Sequence, residues 1–177
     1  MQNRFRRLVE LPYYAGEYYA LRLIPSTGPG MISRLLFKVP LLVYRIGLSR
    51  LISNQILLLT TTGRCSGKPR VTALGYHCDP ATKTYYVSAG WRGQTNWYRN
   101  VKVNAKVSVQ VGNYRFNAIA EPVNEAEALQ LLSDYAKRNP FAERLYSRMI
   151  GMAFDGSQES QRKVAAYFPA IALRARK

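Results

Sequence analysis

Two cysteines and one histidine are spread over 177 residues, and that scarcity excludes several chemistries at once. Cys65 and Cys78 stand thirteen positions apart, outside any C-x-x-C spacing, and His77 has no second histidine to join it. A zinc centre takes about four ligands, so no metal site is expected. The two thiols are expected free and reduced, as in an intracellular protein. Acidic residues are scarce too: ten Asp and Glu face 26 Lys and Arg, a formal net charge of +16. So few carboxylates and a single histidine supply poorly either a paired-carboxylate mechanism or a nucleophilic triad. No apolar run is long enough to cross a bilayer. Polar, charged and proline residues break up MQNRFRRLVELPYYAGEYYALRLIP, so no secretory core is expected there. The expected place is the cytoplasm, with the inner face of the cell membrane left open as a peripheral site.

What is present is a globular composition, 47% hydrophobic and 12% aromatic, enough for one domain with a core. The cations call for an anionic partner: nucleic acid, a phosphate-bearing small molecule or an acidic membrane surface. They are unevenly spread. Residues 1–70 hold 11 basic and 2 acidic residues, residues 71–123 hold 6 and 2, and residues 124–177 hold 9 and 6. The excess therefore peaks in the first seventy residues and is not one compact tail.

Hydrophobic periodicity divides the chain. Residues 9–24 have helical features interrupted by Pro12 and Gly16, and PSTGPG (25–30) is a break. From 31 to 46, Ile32, Leu35, Leu36, Val39, Leu42, Val43 and Ile46 recur at helical spacing, with Arg34, Lys38 and Arg45 opposite. Pro40 is expected to kink or split this helix. Its apolar face is expected to pack on the rest of the protein, with a lipid surface as the other reading. From residue 55 the signal is strand: QILLLTTT, RVTALGYH and TKTYYVSAG, then KVSVQV and YRFNAIA alternating around Gly112-Asn113 as a hairpin. QTNWYRNVKVN reads as a short helix capped by Thr95. Asn124 with Glu127 starts a further helix ended by Pro140. FAERLYSRMIGMAF forms the next, closed by Asp155-Gly156, and a short helix from Ser157 leads to the strand PAIALRA. The expected class is α+β: about six mostly antiparallel strands in a closed or part-closed barrel, not a doubly wound sheet. The expected division is a helical lead-in over 1–54, with the lipid surface open to it, and a barrel domain over 55–177.

The stretch TTTGRCSGKPR, residues 60–70, lies between two of these strands and carries two arginines and a lysine. A P-loop needs four residues between its glycines and a hydroxyl after the lysine. Here three residues separate Gly63 from Gly67, and Pro69 follows Lys68, so triphosphate hydrolysis by that device is not expected. The plain reading is a solvated turn. The functional reading is a phosphate cradle of Arg64, Lys68, Arg70, the Ser66 hydroxyl and backbone amides exposed by Gly63 and Gly67. Each charge-assisted bond there would contribute about 1.5–3 kcal/mol where water is limited.

ILLLTTTGRCSGKPRVTALGY together with YYVSAGWRGQTNWYRNVKVNAKVSVQVG resembles the deazaflavin (F420)-dependent nitroreductase family, whose pattern runs LLLTTxGRKSGxxRxTPL and then WxxN. The resemblance covers roughly residues 41–123. It implies a split β-barrel of the FMN-binding type, coenzyme F420 as cofactor, and hydride transfer to a quinone, nitro or similar unsaturated small-molecule acceptor. By the same resemblance Arg64, Cys65, Ser66, Gly67, Lys68 and Arg70 meet the coenzyme's phosphate and oligoglutamate tail. Thr72, Ala73 and Leu74 line the deazaflavin ring; Ser88, Ala89, Gly90 and Trp91 lie across it; Trp97 and Asn100 anchor the helix behind. The chain departs from the pattern at Cys65, where lysine is usual, at Ala73, where proline is usual, and at Gly90-Trp91, where two glycines are common.

A deazaflavin brings the difficult chemistry itself, so the protein's part is to hold ring and acceptor together and exclude water. Tyr135, Tyr146 and Tyr167 are the candidates to meet charge developing on the acceptor, against the plain reading of packed tyrosines with surface hydroxyls. Two other functions remain open at this level: the same barrel holding FMN, and a basic nucleic-acid-binding module, which lacks a recognisable aromatic strand platform. A homodimer is also left open.

Overall fold

The computed structural model describes residues 14–16 and 38–176. In chain order its elements are α1 (Val39–Arg45), β1 (Ile56–Thr62), β2 (Pro69–Gly75), β3 (His77–Asp79), β4 (Thr84–Ser88), α2 (Asn96–Val103), β5 (Lys106–Val111), β6 (Tyr114–Pro122), α3 (Glu125–Arg138), α4 (Ala142–Ile150), α5 (Gln158–Tyr167) and β7 (Ala170–Ala175). They fall into two compact units. Residues 38–123 with 168–176 form a sheet unit; residues 124–167, with helical residues 14–16, form a helical unit.

In the sheet unit seven strands run in the order β2-β1-β5-β6-β7-β4-β3, every neighbouring pair antiparallel. β2 also packs against β4, so the sheet curls until its ends approach and forms a part-closed barrel. This is the expected α+β class. Alternation drives it: Val107 and Val109 on β5 and Ala118 and Ala120 on β6 point into one core. Leu57 and Leu59 of β1, Val87 and Ala89, and Ile171 and Leu173 of β7 complete it, with Trp97 and Val101 of α2 laid on top. Each fully buried leucine or isoleucine contributes about 1.5–3 kcal/mol.

The sheet has one strand more than expected because RVTALGYH does not stay in one strand. The Tyr76 amide still donates to Gln55 O on the β1 side at 3.1 Å. From His77 the chain pairs with β4 instead, His77 opposite Tyr86. A change of partner, invisible to local periodicity, divides the run. The β5–β6 hairpin follows the sequence closely: Val111 faces Tyr114, and Gly112 takes the left-handed conformation (φ +58°) that primed turns require.

Pro40 lies in the first turn of α1, where proline's missing N–H costs nothing, so the described helix begins at this proline. The earlier part of that expected helix, residues 31–37, lies outside the described residues, as does the expected helix of 9–24 apart from 14–16. Of the expected packed face, Val39, Leu42 and Ile46 are exposed, Leu42 by 58%. Tyr44 is what turns inward: its hydroxyl donates to Ile56 O at 2.7 Å and accepts from the Gly112 amide at 3.2 Å. One buried phenol thus satisfies two backbone groups and ties α1 to β1 and to the β5–β6 turn.

In the helical unit the Asn124 side chain accepts from the Glu127 amide at 2.9 Å, the expected cap of α3. α4 buries Leu145 and Met149 but ends at Gly151 (φ +72°), before the expected Asp155-Gly156 stop, and this leaves Met152 exposed. Gly151 supplies the left-handed C-cap that only glycine adopts cheaply. The rings of Tyr14, Tyr135, Tyr146 and Phe154 follow one another at 6.1, 6.1 and 5.2 Å.

Candidate functional site

The cationic bend joins β1 to β2 at one edge of the sheet, and Arg64, Cys65, Ser66, Gly67, Lys68 and Arg70 are all exposed. Its shape comes from internal bonds. Gly63 N donates to Lys68 O at 2.9 Å, Ser66 N and Gly67 N donate to Gly63 O at 3.2 and 2.8 Å, and Lys68 N donates to Ser66 Oγ at 3.4 Å. Gly67 is left-handed (φ +64°), and a Cβ on Gly63 would stand 2.9 Å from Ser66 Oγ, so both positions require glycine. The amides of Gly63, Ser66, Gly67 and Lys68 are thus committed within the bend. A backbone phosphate nest of the kind the glycines suggested is not what they build; side chains are left to do the holding.

The bend is fastened to α2 through Arg64. Its amide and its Nη1 both donate to Asn100 Oδ1 at 3.2 Å, and Nη1 and Nη2 each donate to Asn96 Oδ1 at 3.2 Å. Asn100 is 4% exposed and donates through Nδ2 to the buried Thr61 Oγ1 at 3.1 Å; Thr61 Oγ1 in turn lies 3.4 Å from Arg70 O. One turn further along, at the end of α2, Asn104 Nδ2 donates to Thr62 Oγ1 at 3.4 Å. Asn96, Asn100 and Asn104 recur every four residues and so share the helix face turned to β1. Of these, Asn96 and Asn104 were not among the expected site residues, although their spacing was visible in NWYRNVKVN. Arg64, a surface side chain by sequence, lies 36 positions from its Asn100 partner, which no local pattern reveals.

The other expected residues separate into two groups. Ala89 and Trp97 are buried in the core, and the Ala89 amide donates to Pro169 O at 2.9 Å. Thr72, Ala73 and Leu74 are half-buried on the edge strand β2, Ser88 is exposed, and Gly90 and Trp91 are half-buried after β4. Trp91 (φ 52°), Arg92 (φ 54°) and Gly93 (φ 72°) are three left-handed residues in succession. Two of them pay the steric cost of a Cβ, about 1–2 kcal/mol each, which marks a turn held by its surroundings. At Gly93 a Cβ would meet the Tyr98 ring at 2.6 Å. Thr95 occupies the N-cap position of α2, but its Oγ1 makes no capping bond and is buried without a partner.

Charge around the bend is of one sign. In the sheet unit the acidic residues among those described are Asp79 and Glu121. Glu121 pairs with Arg174 at 2.9 Å, and Asp79 accepts from the Thr82 hydroxyl at 2.6 Å and the Ala81 amide at 3.0 Å. The Thr82 bond is the leading reason why the Asp79 carboxyl titrates below its ordinary range. His77 stacks on Tyr86 at 6.3 Å, and burial raises the half-buried Cys78 thiol. In the helical unit, Tyr135 accepts at its hydroxyl from Asn139 Nδ2 at 2.6 Å, Tyr146 donates to Leu132 O at 3.3 Å, and Tyr167 is buried.

The sheet unit is thus a curled antiparallel barrel whose edge loop carries three cations and no acidic residue. A sequence model of the family described as F420H(2)-dependent quinone reductase matches residues 44–148, more than half of the chain, and the chain belongs to that family. Over 82 residues it is 37% identical to the F420H(2)-dependent quinone reductase Rv1261c of Mycobacterium tuberculosis (strain ATCC 25618 / H37Rv), covering 46% of this chain and 52% of that protein. The chain spans about half the length of the curated relatives it matches. Among solved structures, an F420-H2 dependent reductase (FDR-A) aligns with a TM-score of 0.48 and 27% identity, covering 68% of this chain and 94% of that one. A chain described as a domain-swapped dimer aligns with a TM-score of 0.48 and 24% identity, covering 76% and 99%.

Proposed function

We propose that this protein binds coenzyme F420 and transfers a hydride from its reduced form to a quinone, with nitro compounds as a second acceptor class. The single observation that carries this reading is the bend at 63–70, fixed in shape by its own amides and presenting Arg64, Lys68 and Arg70 outward, in a chain of this family. The donor set fits a polyanionic arm: three cations, no acid in the loop, and committed amides that leave recognition to charge rather than to a phosphate nest. FMN, with one phosphate, is the smaller anion the same barrel would take.

Bound in its reduced form, the deazaflavin supplies the hydride. The chain's own part is to hold and to exclude water. Lys68 and Arg70 would hold the anionic arm, Thr72 to Leu74 of β2 would stand beside the ring, and Ser88, Gly90 and Trp91 would stand across from it. Trp97 and Asn100 keep α2 in place beneath the bend. The acceptor oxygen also takes up a proton. The hydroxyls of Tyr135 and Tyr146 serve partners within the helical unit, so their removal is expected to lower the stability of that unit.

The test is a side-by-side fluorescence titration of the purified protein with F420 and FMN, followed by oxidation of reduced F420 by a soluble naphthoquinone. F420 should bind more tightly than FMN, and Arg70→Ala should weaken F420 by about ten- to a hundred-fold. Tighter FMN binding, or unchanged affinity in Arg70→Ala, would overturn the assignment.

A second observation supports a place for the activity. Val39, Leu42, Ile46, Leu48 and Leu51 are exposed alongside Lys38, Arg45 and Arg50, and Leu51 by 76%. Apolar side chains rimmed by cations fit an anionic lipid surface, where lipid-soluble quinones reside. No helix among the described residues is long and apolar enough to cross a membrane. Co-sedimentation with phosphatidylglycerol vesicles, but not with phosphatidylcholine vesicles, is expected, and Leu42→Asp with Ile46→Asp should abolish it; equal sedimentation with both lipids would refute the charge argument.

A further inference from the structure

We propose that Asn96 and Asn100 are positioning residues that hold Arg64 through uncharged acceptors so that its full charge stays available to an anionic ligand. The inference rests on the reading that the bend grips the anionic arm of a deazaflavin. A surface guanidinium is commonly steadied by a carboxylate, as the helical unit steadies Arg162 with Glu125 at 2.6 Å. Such a pair fixes the side chain but spends its charge. Arg64 is fixed as firmly, by three side-chain bonds and one amide bond at 3.2 Å, yet every acceptor is a neutral amide oxygen.

The arrangement behind it is built for rigidity. Asn100 is almost fully buried, its amide nitrogen is committed to Thr61, and Thr61 is 1% exposed. Leaving either group unmatched would cost a buried polar atom its partner, so the amide has one orientation and its oxygen always faces Arg64. Asn96, one turn earlier, is exposed and adds the second acceptor at the rim. Among the described residues the guanidinium's Nε has no acceptor, and Arg64 is open to solvent. A cation held in place without being neutralised needs little reorganisation when an anion arrives.

Asn96→Asp separates the two roles. It keeps the tether and converts it to an ion pair, and an acid in the first turn of α2 favours the helix, so thermal stability should be unchanged or higher. Affinity for F420, read by fluorescence polarisation, should nevertheless fall about ten-fold. Affinity for 8-hydroxy-5-deazariboflavin, which lacks the anionic arm, should change by less than about two-fold. The slope of log affinity for F420 against log salt should become shallower. Asn54→Asp, beyond the far end of β1 and roughly 20 Å along the strand, adds the same charge and should leave F420 binding within about two-fold. If Asn96→Asp binds F420 as the unaltered protein does, or loses both ligands equally, the neutral-clamp proposal is overturned while the cofactor reading stands. Failure of the unaltered protein to bind F420 overturns both.

Discussion

The two units of this chain handle charge in opposite ways. Residues 38–123 and 168–176 carry fourteen basic and two acidic residues, whereas residues 124–167 carry six of each. The helical unit spends its cations locally, in Lys137–Asp134, Arg162–Glu125 and Lys163–Glu159. In the sheet unit the described pair is Arg174–Glu121, and the bend between β1 and β2 is steadied by amides instead. A balanced unit gains nothing from an outside anion. An unbalanced one carries self-repulsion that a hydrophobic core must offset and that a bound anion relieves. The core is adequate to this: Leu57, Leu59, Val109 and Leu173 are wholly enclosed, whereas α3 has no buried residue.

That contrast can be broken at several strengths. Truncating the sheet core should have the largest effect: Leu59→Ala is expected to cost about 2–5 kcal/mol in urea denaturation, and Leu129→Ala on the half-buried face of α3 clearly less. Equal losses would mean that the sheet core is packed no more tightly than the half-buried face of α3. Reversing the bend with Lys68→Glu and Arg70→Glu together should reduce F420 affinity by at least about a hundred-fold without lowering the melting temperature. Arg162→Glu, the same kind of reversal in the balanced unit, should leave affinity unchanged, and a matching loss there would make net charge rather than the bend responsible.

Alkali offers a third probe. The Tyr76 phenol is pushed up to about 12, chiefly by burial, with Tyr85, Cys78 and Tyr44 adding to it, from an ordinary value of 10.0. Its folded value is the higher one, so the stability it contributes is complete below pH 10 and is lost as pH rises through about 12. Tyr76→Phe should be less stable at neutral pH, because Ser53 O loses a donor at 2.6 Å, yet should decline less steeply above pH 10. Parallel declines in melting temperature would refute this. The smallest effect is expected at the exposed Arg162–Glu125 pair, where Arg162→Ala should change stability by about 0–1 kcal/mol.

The parts of this structure that depend on near neighbours were legible in the sequence. Alternation about Gly112-Asn113 specified the β5–β6 hairpin, and Asn124 with Glu127 specified the start of α3. The bend's residues were readable as a cationic turn because glycine, proline and charge all lie within eleven positions. What escaped was set by partners far along the chain. The chain leaves β1 for β4 at His77, and Tyr44 of α1 turns inward to reach Ile56 and Gly112, while Val39, Leu42 and Ile46 face outward. The left-handed run Trp91 to Gly93 carries no signal beyond one glycine, since tryptophan and arginine do not choose that conformation themselves. The asparagine stripe on α2 was visible as spacing, but its use as a clamp required Arg64 to be brought to it from across the sheet.

The bend feeds into β2, a strand with a hydrogen-bonded neighbour on one side only. Such a border strand loosens more readily than the interior ones, so its amides should trade protons with solvent fastest among the long strands. A ligand grasped at the bend would suppress that trade along Arg70 to Leu74 and leave β6 and β7 untouched. Deuterium uptake at this border would then report occupancy of the site without any optical signal from the ligand.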